Sequence, residues 1–194
     1  MADKVKFNIK NVHYAVYNAE DATWATPVAI PGAVNFSLEP QGDTSPFHAD
    51  GIVYYQSTAN NGYSGDLEVA RFPDSFMTDV FGMVPGTTSK VLTENARTEP
   101  KAFALLFEED GDVTGTKFVL YNCTATRPTR ELATIEDTKE PQTQTSTITA
   151  IPMASGMVMA MAGDETPKAV LDDWYKTVYV EGATPPPANK GASK

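Results

Sequence analysis

The sequence has a single cysteine, Cys123, among its 194 residues, so an internal disulfide framework is excluded. A lone thiol fits a reducing compartment, and its place on an apolar strand pattern favours a packed thiol over a nucleophile. Only two histidines occur, His13 and His48, and neither stands at metal-ligand spacing from the other or from Cys123. We therefore expect no metal site and no cofactor.

Basic residues and long apolar runs are also scarce. The chain carries 25 acids against 15 bases, a net charge of -10, which argues against tight nucleic-acid binding because phosphates need clustered Lys and Arg. It still allows a surface past which nucleic acid slides. No run approaches the roughly 18 apolar residues of a membrane span. The N-terminal residues contain no apolar stretch of signal-peptide length, because Lys4, Lys6 and Lys10 interrupt it. We therefore expect no signal peptide.

Motifs that identify an enzyme are missing. There is no glycine-rich phosphate loop and no Ser-His-Asp arrangement of identifying spacing. Glu39 with Asp66 and Glu68 could be a glycosidase pair, but acids that alternate out of strands are more often a solvated face. The acidic run at 108–112 could be a calcium loop, yet it lacks the spaced ligands and closing Glu of that pattern, which favours a turn. We expect no catalytic activity.

What the chain does contain is turn residues and strand patterns. With 14 prolines, 13 glycines and 41% hydrophobic residues, the composition predicts one mainly β domain with a proper core. We place this domain at residues 1–182. Residues 183–194 are rich in proline and contain no large apolar side chain, which predicts a disordered tail.

The region 28–72 sets the expected architecture. Val34–Leu38 alternates apolar and polar residues, as a strand with one buried face does. Ile52–Ser57 is β-branched and aromatic, and Asn60–Gly62 is a turn signal that predicts a hairpin to the next strand. Between the strand at Val34–Leu38 and the strand at Ile52–Ser57 we predict a long loop at Gln41–Asp50.

Further elements follow the same reasoning. A change of period predicts short flanking helices at about 73–82 and 167–176, the second burying Val170, Leu171 and Trp174. A switch of apolar parity predicts either a bulge near Asn11 or two separately used segments. The polar excursion Arg127–Ser146 is too long for a compact connection. The remaining predicted strands are Ala102–Glu108 and Lys117–Thr126, both covered on two faces, then 145–151, 157–162 and Thr177–Glu181.

Several segments, in order, resemble the major tail protein family of long-tailed bacteriophages, the tail tube subunits of siphophages of Gram-positive hosts. They reach over nearly the whole chain to about Gly182, and their combined order and spacing is more specific than any one of them. The segments are Lys10–Ala15, Thr26–Asp43, Ala49–Phe76, Pro100–Asp112, Val119–Pro128, Lys139–Ala150 and Trp174–Tyr179.

This resemblance implies a β-sandwich or barrel-like domain with one or two flanking helices and long assembly loops. It implies a structural virion protein of the phage tail, made in the host cytoplasm, whose rings of six copies stack into a tube that conducts DNA without binding it specifically. Its partners would be itself and other tail proteins, namely the tape measure, tail terminator and distal tail proteins.

Two hypotheses connect the residues to this role. Glu39, Asp66 and Glu68 share the polar side of strands, and we expect them to line the lumen and repel DNA phosphates. Gln41–Asp50 and Arg127–Gln144 are expected to be assembly elements. The alternative is a carbohydrate-binding or adhesin-like sandwich, in which Tyr54, Tyr55 and Tyr63 would stack on sugar rings.

Overall fold

The computed structural model describes residues 8–110, 115–134 and 141–182. These ranges are mainly β, with two short helices, α1 Asp74–Asp79 and α2 Lys168–Asp173. The strands are β1 Asn8–Asn18, β2 Thr23–Trp24, β3 Val28–Ala29, β4 Ala33–Phe36, β5 Glu39–Gln41, β6 Thr44–Ala49, β7 Ile52–Thr58, β8 Gly62–Val69, β9 Val84–Pro85, β10 Leu92–Thr93, β11 Phe103–Asp110, β12 Thr116–Ala125, β13 Gln144–Ala150 and β14 Met159–Ala162.

Ten of these strands form one antiparallel sheet in a β-sandwich-like domain. Its order is β2-β1-β11-β12-β13-β8-β4, with β3 beside β1, β5 beside β8 and β14 beside β12. The pairs β9–β10 and β6–β7 are separate two-stranded sheets. The predicted β class and both predicted helices are confirmed.

Strand β11 runs through the centre and is buried on both faces. Phe103, Leu105 and Phe107 point into one apolar cluster, while Ala104 and Leu106 point into a second cluster on the other side. This two-sided burial explains the continuous apolar run that the sequence shows there. The prediction that this strand is covered on both faces is confirmed.

The first cluster is built around helix α1 and its aromatic side chains. Phe76 is fully buried and meets Tyr14, Phe81 and Phe103 edge to face, with ring centroids 5.0–5.6 Å apart, and it stacks on Phe72 at 5.1 Å. Such aromatic contacts contribute beyond the area that they bury. The helix therefore closes this side of the core.

The second cluster is closed by Trp174, which follows α2. Its side chain is 2% exposed and stacks on Tyr179 at 5.5 Å, as the sequence predicts for a core-closing residue. The segment Thr177–Glu181, predicted to be a strand, is not one. Its apolar residues pack against the cluster without pairing to a neighbouring strand, so the alternation reflects burial alone.

A buried carboxylate fixes the C-terminal part to the sheet. Glu108 Oε2 accepts hydrogen bonds from Asn11 Nδ2 at 3.0 Å, Lys117 Nζ at 3.0 Å and the Tyr175 hydroxyl at 3.2 Å. Lys10 Nζ lies 3.5 Å from the other oxygen. The predicted bulge is present too, because the β1–β11 register shifts between Lys10 and His13, and Asn11 has a φ of 55°. The bulge turns the Asn11 amide toward Glu108.

The loop prediction for Gln41–Asp50 is wrong. Most of this stretch forms β6, which pairs with β7 around the turn Asp50-Gly51. Both turn residues have positive φ, 54° and 77°, as a two-residue type I′ hairpin requires. The predicted hairpin at Asn60–Gly62 is wrong for the same reason, since β7 takes β6 as its partner and β8 pairs with β4, β5 and β13.

The polar excursion begins in contact with the sheet. Thr126 N–H donates to the Thr147 carbonyl and Thr129 N–H to the Thr145 carbonyl, each at 2.9 Å. Arg127 Nε lies 2.7 Å from Glu94 Oε1. Residues 135–140, the middle of the predicted arm, lie outside the described residues, as do 111–114 in the predicted acidic turn and the predicted tail at 183–194.

Candidate functional site

Two surfaces stand out from the packed body: a polar sheet face and the β6–β7 hairpin. The structure brings the three predicted acids together on the first. Asp66 and Glu68 are two apart on β8, and Glu39 pairs with Ser64, which is two before Asp66. Because paired residues of antiparallel strands share a face, Glu39, Asp66 and Glu68 lie on one side of the sheet.

Threonines of β13 and of the segment before it partner these acids. Thr147 Oγ1 donates to Asp66 Oδ1 at 2.7 Å, and Thr143 Oγ1 donates to Glu68 Oε1 at 2.6 Å. Ser64 Oγ lies 3.4 Å from Thr149 Oγ1. The face is thus a hydroxyl and carboxylate surface in which hydrogen bonds hold the Asp66 and Glu68 side chains in place. The sequence predicted the acids but not the threonine ladder beside them.

This arrangement does not favour catalysis. Asp66 and Glu68 are neighbours along one strand, whereas glycosidase carboxylates oppose each other across a substrate. Within the described ranges, no group of three or more His, Cys, Asp or Glu could hold a metal ion. The Cys123 thiol is fully buried, and burial raises its pKa to about 12, so it stays protonated.

The second surface is the β6–β7 hairpin, which we call the ribbon, residues 44–58. It forms its own two-stranded sheet, and nearly every residue in it is exposed. Its base is tied by hydrogen bonds from Ala59 N–H to the Asp43 carbonyl and from Asn61 N–H to the Gln41 carbonyl. Beyond that base, the ribbon projects from the domain.

Large apolar side chains at the ribbon tip are uncovered. The exposed fractions are 60% for Phe47, 64% for Ile52, 52% for Val53, 72% for Tyr54 and 63% for Tyr55. An isolated hairpin is marginally stable in water, and contiguous exposed apolar groups mark interaction sites. Asp50-Gly51 is a sequence signal for this hairpin, although Pro46 weakens the strand pattern before the turn.

The tyrosines do not form a sugar-stacking platform. Tyr63 lies on β8 and packs partly buried against the first cluster, away from the ribbon. Tyr54 and Tyr55 lie on β7 in the separate two-stranded sheet, whereas Tyr63 belongs to the ten-stranded sheet. The three side chains required by the carbohydrate-binding alternative therefore do not converge. Tyr54 and Tyr55 are 72% and 63% exposed, so neither is packed into the core.

Neither histidine belongs to a metal-binding group of His, Cys, Asp and Glu among the described residues. His13 lies beside Tyr175, with ring centroids 4.6 Å apart, and its Nδ1 is 2.8 Å from the Asn11 carbonyl oxygen. His48 is an exposed residue of the ribbon, opposite Val53. In the part of the chain that the structure describes, no helix has the length and apolar character needed to cross a membrane.

Comparison with known proteins adds structural neighbours only. No protein-family model matches the sequence, and no curated protein matches it either. The fold is similar to the tube-terminating cap of the anti-feeding prophage, with TM-score 0.47, 10% identity, and coverage of 84% of this chain and 97% of that one.

Two further neighbours come from the extracellular contractile injection system PVC in its extended state. One is its sheath/tube terminator, with TM-score 0.47 and 11% identity over 84% of this chain and 100% of that one. The other belongs to its sheath-tube complex, with TM-score 0.45 and 12% identity over 79% and 89%. At this level of similarity a shared function is not established, and membership in the siphophage tail protein family stays a prediction.

Proposed function

We propose that this chain is a structural, non-enzymatic subunit of a phage tail tube, located in the virion tail, that self-assembles into stacked hexameric rings around a DNA-conducting lumen. The observation that carries the proposal is the ribbon, an ordered hairpin whose apolar tip the subunit itself leaves uncovered. The resemblance of the sequence to major tail proteins supplies the kind of assembly.

Charge favours other copies as the ribbon's partner. The chain has a net charge of -10, so two copies repel each other over most of their surfaces. The ribbon contains one acid, Asp50, and no Lys or Arg. Contact through this nearly neutral segment avoids bringing like charges together, and burial of its apolar side chains drives association.

Assembly is tested by negative-stain microscopy of concentrated protein, beside the double variant Val53→Thr/Tyr54→Thr. Threonine preserves strand propensity but removes the apolar surface. We expect rings or tubes from the unaltered chain and dispersed subunits from the variant. The free energies of unfolding of the two proteins should differ by no more than about 0.5 kcal/mol, because substitutions of surface residues usually have small effects on stability.

The matched control is Gln56→Thr/Ser57→Thr in the polar half of the same strand, which should still form tubes. Dispersed subunits from the unaltered chain at all concentrations would contradict the proposal. If the variant Val53→Thr/Tyr54→Thr forms tubes, assembly does not depend on the apolar tip of the ribbon.

The polar face of Glu39, Asp66 and Glu68 is proposed to line the lumen. Its support is that these exposed or half-exposed acids share one face with hydroxyl groups, a surface whose negative charge repels phosphates. Replacing all three by Lys changes the net charge from -10 to -4, since each replacement adds two. The resulting tubes should retain DNA at low salt and release it as salt rises.

A second triple variant controls for total charge. Glu20→Lys, Glu99→Lys and Glu165→Lys make the same change at exposed positions elsewhere on the chain. DNA entry into tubes is measured by protection from nuclease. Equal protection in the two variants would count against a lumen position for the polar face.

A further inference from the structure

Three neighbouring strands bring an amine, an amide and a carboxylate together at the end of the central sheet. Strand β11 lies between β1 and β12 and carries Glu108, which pairs with Lys117 of β12. On the other side Glu108 pairs with Lys10 of β1, and Asn11 is the bulge residue that follows. The side chains of Lys117 and Glu108 are 14% and 8% exposed, whereas Asn11 lies at the surface.

A single oxygen of Glu108 contacts both the amine and the amide. Oε2 accepts hydrogen bonds from Lys117 Nζ and from Asn11 Nδ2, each at 3.0 Å. The two nitrogens are therefore at most twice 3.0 Å, or 6.0 Å, apart. An amine held beside a carboxamide is placed to attack the amide carbon. A carboxylate that contacts both nitrogens can carry a proton from one to the other.

The surroundings select Lys117 rather than Lys10 as the amine. Lys10 Nζ donates to Asp110 Oδ1 at 2.9 Å and lies 3.5 Å from Oε1, the oxygen of Glu108 that faces away from the amide. Lys117 Nζ instead lies over the ring of Tyr175, 4.8 Å from its centroid. The Tyr175 hydroxyl donates to Glu108 Oε2 at 3.2 Å. Tyr175 therefore helps to hold Lys117 at the oxygen that the amide also contacts.

We infer that Lys117 and Asn11 become joined by an intramolecular isopeptide bond, with Glu108 as the proton carrier. The Lys117 ammonium gives one proton to Glu108, and the freed electron pair of Nζ attacks Asn11 Cγ. The Nζ–Cγ bond forms, and the Cγ–Nδ2 bond breaks with its electron pair leaving on Nδ2. That nitrogen takes a second proton from Nζ and the first one from Glu108. Ammonium departs, Glu108 is again a carboxylate, and nothing is oxidised or reduced.

Burial of Glu108 assists the first proton transfer. Burial raises the pKa of Glu108, and hydrogen bonds from Asn11 and Lys117 together with the Lys117 charge hold it low. Once the proton has moved, Lys117 is neutral and no longer stabilises the carboxylate, so burial favours the protonated acid. The ion pair is the state of the freshly folded chain, and the cost of neutralising it makes the reaction slow.

The bond connects β1 to β12 across β11, and so closes the centre of the sheet covalently. A crosslink between distant residues restricts the unfolded chain, as a disulfide does, in a protein whose single cysteine is buried. Each chain reacts once and on itself, so this chemistry differs from enzymatic turnover. It takes place within one subunit and does not depend on the proposed tube.

Mass spectrometry of the denatured full chain tests the inference, on fresh protein and on protein kept for weeks at neutral pH. The unaltered chain should become lighter by the mass of one ammonia molecule. Asn11→Ala and Lys117→Arg should keep their full mass, because the first lacks the amide and arginine keeps its charge and proton. Glu108→Gln should slow the loss by at least about a hundredfold, since glutamine cannot carry the proton.

Peptide mapping distinguishes this bond from other losses of ammonia. Asn61 precedes Gly62, a pair that can form a cyclic imide with the same change of mass, so Asn61→Ala is the matched control and should still react. A branched peptide that joins Asn11 to Lys117 is the expected product. Full mass of the unaltered chain at all times, or a loss that maps to Asn61 or to Lys10, would overturn the inference. Both results come from the unaltered chain, so they do not depend on the folding of a variant.

Discussion

The body and the ribbon of this protein are built from similar strands but are stabilised differently. In β11 of the body, each side chain from Phe103 to Leu106 is completely buried between two apolar clusters. In β7 of the ribbon, side chains of the same chemical type are more than half exposed. The difference shows that apolar strands can be buried in a subunit's core or left exposed at its surface, and we propose that assembly covers the second kind. Changes in the body should therefore affect folding, and changes at the ribbon tip should affect association.

The largest effect on folding is expected at Trp174, which closes the second cluster. Trp174→Ala should destabilise the domain by about 3–5 kcal/mol, because it removes a buried ring and leaves a cavity. Trp174→Phe should cost much less, since Trp174 Nε1 is buried with no hydrogen-bond partner among the described residues. Urea unfolding of both variants measures the difference. Equal losses of unfolding free energy in Trp174→Ala and Trp174→Phe would show that burial of the aromatic ring is not the main contribution of Trp174 to stability.

A smaller effect is expected at Glu108, and it should depend on pH. Burial by itself raises the pKa of Glu108, but hydrogen bonds from Asn11 and Lys117 and the charge of Lys117 hold it below its usual value. Glu108→Gln should cost about 3 kcal/mol at pH 7, because it leaves Lys117 without its buried partner.

The sign of the pH dependence follows from the lowered pKa. A carboxyl group whose folded-state pKa lies below its unfolded value stabilises the fold above the unfolded pKa, and this stabilisation is lost as pH falls through the folded pKa. The difference in the free energy of unfolding between the unaltered chain and Glu108→Gln should therefore become smaller below about pH 4.5. Urea midpoints from pH 7 to 3 check this, with Glu20→Gln as the exposed control. A gap independent of pH would contradict the role of the charge.

The smallest effect is expected from removing the proline-rich end. Thr184–Lys194 offers three prolines, two lysines and no large apolar side chain, so it cannot offset the entropy of its own ordering. A chain ending at Gly182 should melt like the full chain and still form tubes. If truncation leaves the melt unchanged but abolishes tubes, the end is an assembly arm and belongs with the ribbon in this comparison.

The body was more predictable from the sequence than the ribbon, for a physical reason. Apolar periodicity reports which side chains are buried, and in Ala102–Glu108 and helix α1 burial decides the structure. It does not report which strands pair. Thr177–Glu181 has a strand pattern but is buried without pairing, whereas Thr44–Ala49 pairs although Pro46 weakens its pattern.

The candidate surfaces also depend on strand pairing, which apolar periodicity does not report. Strand parity correctly placed Glu39, Asp66 and Glu68 on one polar face, because alternation is a local property. The exposure of Ile52 and Tyr54 could not be deduced locally, since β-branched and aromatic residues usually indicate burial. It depends on β8 pairing with β4, β5 and β13, which leaves β7 outside the main sheet.

Amide hydrogen exchange in free subunits and in assembled tubes tests the central claim most directly. In the free subunit, ribbon amides of β6 and β7 should exchange much faster than those of β11, because only one ladder of hydrogen bonds protects them. On assembly, exchange in the ribbon should slow by at least an order of magnitude while exchange in β11 stays the same. Protection at Arg127–Gln144 would identify that segment as the second assembly element. Ribbon amides that exchange equally fast in subunits and in tubes would contradict the claim that other copies cover the tip.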